Sequence, residues 1–69
     1  MKIAILTSPS QWFALYAEEL YKKIENSKLF FDHKKIKEPF DIVFILSYHK
    51  IIDEKYLKKN KHNIVIHAS

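Results

Sequence analysis

DIVFIL, from Asp41 to Leu46, is the most apolar and β-branched run in the chain. Such residues favour β-strands, and a run without polar alternation is typical of a strand buried on both faces, as parallel strands are. The run stops at Ser47-Tyr48-His49, where polar side chains begin. We therefore predict that residues 41–46 form a central strand of a parallel sheet.

Three further segments predict the other strands of that sheet. KIAILT, from Lys2 to Thr7, is a short apolar run that suits a second buried strand. KLFF, from Lys28 to Phe31, and the segment from Asn63 to Ile66 predict two more. Pro9 and Pro39 interrupt the chain between these segments, because proline cannot continue a central strand. The sequence therefore predicts about four strands.

Two helical segments are expected between the strands. The longer one runs from Gln11 to about Glu25, with Ser10 as its N-cap. Its apolar residues share one helical face, and these are Phe13, Tyr16, Ala17, Leu20 and Ile24. A weaker helical turn is predicted from Ile51 to Lys59. Its residues predicted to face the core are Ile51, Ile52, Tyr56 and Leu57. This alternation of strands and helices predicts one α/β domain, residues 1–69, with an open and mainly parallel sheet.

Size and composition restrict the function. A chain of 69 residues buries only about 60% of its unfolded surface, so a complete two-substrate enzyme is not expected. The net charge of +4 comes from twelve lysines without any arginine, and arginine is the residue preferred for bidentate phosphate and guanine recognition. This disfavours a nucleic-acid binder, and the scattered lysines are typical of a solvated surface. The sequence contains no signal-like segment and no run of about 18 apolar residues, so we expect a cytoplasmic protein without a membrane partner.

Candidate site residues lie after the predicted strands. Ligands of open parallel sheets bind beyond the carboxyl ends of the strands, where the loops converge. Four such exits are present: 7–10, 32–33, 47–50 and 67–69. The chain has no glycine, which excludes the glycine-rich phosphate loops of nucleotide sites. Its four histidines do not have the spacing of a zinc site, so no metal is predicted.

Three stretches carry a resemblance to a known family. DIVFILSYHKIIDEKYL (Asp41 to Leu57) resembles a strand and loop of the folate-dependent formyltransferases. IVIHAS (Ile64 to Ser69) looks like the strand that follows in that family, with its His-x-Ser motif. MKIAILTSP is similar to the opening of the methionyl-tRNA and sugar-amine members. The resemblance implies a Rossmann-like N-terminal formyltransferase domain that uses 10-formyltetrahydrofolate as formyl donor to a primary amine.

The resemblance also assigns residues. His67 matches the catalytic histidine, and Ser69 matches the serine of the same motif. The loop that matches the lining of the pteridine pocket consists of Ser47, Tyr48, His49, Lys50, Ile51 and Ile52. Val65 stands where the family has an asparagine that polarises the formyl oxygen, and Asn63 lies two residues earlier.

The family's remaining catalytic residues follow the histidine motif, so we expect the chain to be a truncated N-terminal piece that is inactive alone. As acceptor, a nucleotide-linked amino sugar is favoured over methionyl-tRNA, because arginine is absent and the second strand-helix unit is compressed. No pattern fixes an oligomeric state. The alternative is a small non-catalytic α/β binding or interaction module that happens to end in His-Ala-Ser.

Overall fold

All four predicted strands form, and they pair in a single parallel sheet. The computed structural model describes residues 1–8 and 12–66, without the side chains of residues 12 and 13. The strands are β1 (Ile3–Thr7), β2 (Ser27–Phe30), β3 (Ile42–Leu46) and β4 (His62–Ile66). Their order across the sheet is β2-β1-β3-β4, and every neighbouring pair is parallel. The prediction of an open α/β fold with β3 inside the sheet is confirmed.

Two helices and one short 3-10 turn connect the strands. Helix α1 spans Trp12–Lys23, α2 spans Glu54–Leu57, and the 3-10 turn spans His33–Lys35. The chain leaves α1 through Asn26, whose φ of 61° is in the left-handed region that asparagine tolerates after a helix. The predicted N-cap, Ser10, lies outside the described residues.

Two apolar clusters cover the two faces of the sheet. Ile5 and Leu46 pack with Ala17 of α1 on one face, and Leu20 of the same helix and Ile24 directly after it join them. The cluster on the other face contains Ala4, Leu6, Ile36, Phe40, Val43 and Ile45, with Ile52 and Leu57 packed against it. Because side chains alternate along a strand, β1 supplies both clusters and is buried from residue 4 to residue 7. The fold therefore has three layers, with α1 and α2 on opposite faces.

Several sequence expectations are corrected by the structure. Tyr16 is 51% exposed, because Ala17, Leu20 and Ile24 define a narrow core face and Tyr16 lies beside it. Ile51 is 92% exposed, although it was predicted to face the core. Helix α2 begins only at Glu54, so residues 51–53 do not follow a helical periodicity. Of these three residues, only Ile52 packs against the core.

Strand β4 is an exposed edge in spite of its apolar sequence. Ile64, Val65 and Ile66 are 41%, 52% and 42% exposed, and β4 pairs only with β3 within residues 1–8 and 12–66. Over the same ranges, no helix combines the length and apolar character required to cross a bilayer.

Candidate functional site at the carboxyl ends of the strands

The exits from β1 and β3 lie side by side, as the sequence predicts. Strand order reverses between these two strands, because β2 lies on one side of them and β4 on the other. Such a reversal is where open parallel sheets place their ligands. The Thr7 hydroxyl donates to the Leu46 carbonyl oxygen at 2.8 Å, and the His49 N–H donates to the Ser8 hydroxyl oxygen at 3.0 Å. These bonds fix the two exits relative to each other.

Ser47 turns the chain sharply as it leaves β3. Its φ is 48°, a left-handed conformation that costs a non-glycine residue roughly 1–3 kcal/mol. Its N–H donates to the carbonyl oxygen of Ile66 at 2.8 Å. The strained turn therefore begins the predicted folate loop, residues 47–52, and joins it directly to the last described residue of β4.

A histidine and a tyrosine hold the next part of the loop. The Tyr48 hydroxyl oxygen accepts from the His33 backbone N–H at 2.9 Å and lies 2.8 Å from the His33 Nδ1. One hydroxyl can accept from the backbone N–H and also hydrogen-bond to Nδ1, so Tyr48 satisfies both groups of His33. The loop after β3 is thus attached to the segment after β2.

The His33 ring is enclosed by aromatic side chains. It is only 5% exposed, and it makes edge contacts with the rings of Tyr48 and Tyr56, whose centroids are 5.7 and 5.0 Å away. Asp32 Oδ1 lies 3.9 Å from Nδ1, at the edge of ion-pair distance. This imidazole is consequently a buried support of the site, held in one orientation.

Asp32 and Lys50 add an ion pair to the same edge. The Lys50 ammonium lies 3.6 Å from Asp32 Oδ2, while Oδ1 accepts from the Lys34 N–H at 3.0 Å. The backbone hydrogen bond from Lys34 is the largest cause that lowers the pKa of Asp32, and the charge of Lys50 lowers it further. The carboxylate is therefore anionic at neutral pH.

The six predicted loop residues fall into two groups in the structure. Ser47, Tyr48 and Ile52 are partly buried and hold the loop by the contacts described above. His49, Lys50 and Ile51 have exposed side chains at the same edge. The predicted catalytic His67 and the predicted Ser69 lie outside the described residues.

The two β4 residues singled out by the resemblance have different surroundings. Asn63 donates to the Leu57 carbonyl oxygen at 2.9 Å and accepts from the Asn60 amide at 3.1 Å. These bonds tie β4 to the end of α2. Val65 is 52% exposed and lies two residues closer to the carboxyl edge. Asn63 is therefore a structural anchor away from that edge, and the position nearer to it holds an apolar side chain.

Sequence reasoning missed the role of His33. The segment 32–33 was identified only as one strand exit among four, and its contact with Tyr48, fifteen residues away, has no local signal. His33 follows the end of β2 and Tyr48 follows the end of β3, and β1 lies between these two strands, so the contact depends on the order of the strands. No group of three or more potential metal ligands occurs within the described ranges, where His33 bonds to Tyr48 instead.

Comparison with known proteins adds no assignment. No protein-family model, curated protein or solved structure matches this chain.

Proposed function

We propose that this chain supplies the formyl-donor site of an enzyme that transfers a formyl group from 10-formyltetrahydrofolate to a primary amine. One observation carries the proposal: the Ser47 N–H donates to the Ile66 carbonyl oxygen at 2.8 Å. The loop 47–52 and residues 64–66, the described part of the second stretch that resembles the formyltransferases, are therefore neighbours at one edge of the sheet. This contact supports the proposal, because residues of both stretches would then face the same ligand.

Two features of the loop support a pteridine site there. A flat heteroaromatic ring needs apolar walls and a few hydrogen bonds at its edges. Ile51 presents an apolar side chain that is 92% exposed, while Ile52 behind it is anchored in the core. Hydrogen bonds from His49 to Ser8 and between Tyr48 and His33 hold the backbone, so little ordering is needed when a ligand binds.

The proposed reaction assigns one proton-transfer group to the chain. The amine nitrogen attacks the formyl carbon and a C–N bond forms, while the carbonyl oxygen becomes an oxyanion. His67 accepts the proton that the amine loses, and the bond from the carbon to N10 of the folate then breaks, with N10 gaining a proton. A histidine suits this step because its ordinary pKa is about 6.5. Val65 has no polar group for the oxyanion, so we assign this stabilisation to groups other than the residue 65 side chain.

The proposal includes an acceptor class and a location. A nucleotide-linked amino sugar is the favoured acceptor, ahead of methionyl-tRNA, since the chain contains twelve lysines and no arginine. We place the protein in the cytoplasm. The proposed chemistry assigns catalysis to His67 and uses no metal.

Binding of the formyl donor tests the proposal directly. The ¹⁵N-labelled chain is titrated with 10-formyltetrahydrofolate, and amide chemical shifts are followed residue by residue. We expect the largest changes at residues 47–52 and at 66–69. Ile51→Gln should weaken binding about tenfold, because it places a polar group against the ring. Leu15→Gln is the matched control, since Leu15 of α1 is also apolar and 66% exposed, and it should leave binding unchanged.

Two results would reject the formyl-donor site. One is the absence of binding by the folded chain at millimolar folate. The other is equal weakening by Ile51→Gln and Leu15→Gln, which would indicate non-specific adsorption. Either result favours the non-catalytic binding module.

A further inference from the structure

A cleft on the opposite edge of the sheet is unrelated to the folate loop. It is a cavity of about 380 Å³ between β2 and the segment that leads to β3, within the size range of small-ligand pockets. Its lining residues are Lys28, Phe30, Lys35, Lys37 and Glu38. The sequence alone suggested a solvated scatter of lysines, whereas the fold brings three of them around one cavity.

The positive charge of this cleft is only partly neutralised. Glu38 lies 3.0 Å from the Lys28 ammonium and 3.3 Å from that of Lys2, and these two contacts lower the pKa of its carboxyl group. No salt bridge joins Lys35 or Lys37 to a carboxylate in the described part of the chain. In contrast, Lys50, Lys58 and Lys61 each face their own acidic partner. The cleft therefore keeps two unpaired positive charges.

The backbone that carries these lysines is fixed by the core. Ile36, which lies between Lys35 and Lys37, is 8% exposed, and Phe40 is 3% exposed, so the core anchors the chain beside both lysines. Phe30 meets the ring of Phe40 edge-on, with centroids 5.9 Å apart, and is itself only partly buried. The cleft thus combines an aromatic wall, two unpaired ammonium groups and a fixed backbone.

We propose that this cleft binds a small aromatic phosphate monoester of mononucleotide size. A phosphate monoester carries a charge of about −1.5 to −2 at neutral pH, which matches Lys35 and Lys37. Lysine binds phosphate as a point charge and does not require the fork geometry of arginine. Phe30 offers an apolar surface for the ring, as aromatic side chains do for bases. The cleft of about 380 Å³ has the size of a monomer, so a nucleic-acid strand is not the expected ligand. This inference is independent of the proposed formyl-donor site.

Calorimetric titration of the folded chain at low ionic strength tests this site with three probes. AMP contains the ring and the phosphate, inorganic phosphate lacks the ring, and adenosine lacks the charge. We expect AMP to bind more tightly than either of the other two, and added salt to weaken it, since exposed charges are screened. Amide shifts caused by AMP should be confined to residues 28–38 and should persist when the folate loop is occupied.

Charge-matched variants distinguish binding at a specific site from non-specific electrostatic attraction. Lys35→Gln with Lys37→Gln should weaken AMP binding about fivefold, from two exposed charge contacts of modest strength. Lys22→Gln with Lys23→Gln is the control, because it removes the same charge from α1 on the other face of the sheet. The control should change the affinity less than about twofold. Phe30→Leu keeps an apolar core contact but should abolish the preference for AMP over phosphate.

Three results would overturn the cleft proposal. AMP binding is absent, the two double variants lose equal affinity, or an oligonucleotide binds more tightly in proportion to its length. Each of them leaves the test of the folate loop untouched, because that test follows a different ligand and different residues.

Discussion

Strands β1 and β4 have similar apolar sequences and opposite environments. Ile5 of β1 is fully buried, whereas Ile64 of β4, in the same row across the sheet through Phe44, is 41% exposed. β1 has a strand on each side and clusters on both faces, while β4 pairs with β3 alone among the described residues. An apolar pattern therefore predicts a strand, whereas the neighbouring elements determine how much its side chains contribute to the free energy of unfolding.

Shortening one isoleucine in each strand gives the largest expected difference. Ile5→Ala should reduce the free energy of unfolding by about 2–5 kcal/mol, because it leaves a cavity in a filled core. Ile64→Ala should cost about 1 kcal/mol, since part of that side chain already contacts water. Urea unfolding followed by circular dichroism measures both. If Ile5→Ala does not fold, the pair Ile5→Val and Ile64→Val gives the same comparison. Equal losses in the two strands would show that the burial contrast is wrong.

The loop after β3 supplies the second prediction. Tyr48→Phe removes the hydroxyl that contacts two atoms of His33, and the partly buried backbone donor loses its partner. We expect a loss of about 1–3 kcal/mol in unfolding free energy together with weaker folate binding. Tyr21→Phe, in the exposed part of α1, is the control and should be neutral. A neutral Tyr48→Phe variant would mean that His33 does not support the loop.

A smaller effect is expected where β1 is attached to β3. Thr7→Val removes the buried hydroxyl that donates to the Leu46 carbonyl oxygen. The variant should lose about 1 kcal/mol of unfolding free energy, and Thr7→Ser, which keeps the hydroxyl, should lose less. A neutral Thr7→Val variant together with a destabilised Thr7→Ser variant would attribute the effect to packing of the threonine methyl group, which valine keeps.

The smallest expected effect is electrostatic and concerns Asp41, which contacts the residues just before β1 and β4. Asp41 Oδ2 accepts from the Lys2 N–H at 2.7 Å, and Oδ1 lies 3.4 Å from the Lys61 ammonium beside β4. The backbone bond from Lys2 and then the contact with Lys61 lower the pKa of Asp41. Because the folded pKa is below that of the unfolded chain, the stabilisation is present above about pH 4 and is lost as the pH falls.

Urea unfolding of variants at several acidic pH values measures the stabilisation by Asp41. The urea concentration at the unfolding midpoint should decrease as the pH is lowered from about 5 to about 2. Asp41→Asn should make this decrease smaller. Asp53→Asn is the control, since Asp53 is exposed and its side chain makes no cap hydrogen bond. An identical pH profile for the wild-type chain and Asp41→Asn would remove Asp41 from the explanation.

The sequence predicts the strands and helices more accurately than the burial of their side chains. The runs around Ile5 and Phe44 predicted strands because their apolar, β-branched residues favour that conformation. The alternation of strands and helices then predicted a parallel sheet. Ile51 was misplaced, because the start of α2 at Glu54 depends on how the chain leaves the strained turn at Ser47. The exposure of Ile64 was not predictable, since the same residue in an inner strand would be buried.

The candidate site was predictable in position but not in its contacts. The exits at 7–10, 32–33 and 47–50 were expected to meet, and hydrogen bonds join described residues of all three. The pairing of His33 with Tyr48 depends on the order of the strands, which no local pattern encodes. The cleft at Lys35 and Lys37 was missed for a different reason, because the scattered lysines were interpreted as a solvated surface although its whole lining lies within residues 28–38.

The central claim is that the turn at Ser47 and the end of β4 together bind a folate. The most direct measurement is the amide shift map of the folded chain during titration with 10-formyltetrahydrofolate. The predicted result is that changes concentrate at residues 47–52 and 66–69, and that Ile51→Gln weakens binding about tenfold while Leu15→Gln leaves it unchanged. Changes concentrated at residues 28–38, or none at saturating folate, would contradict it.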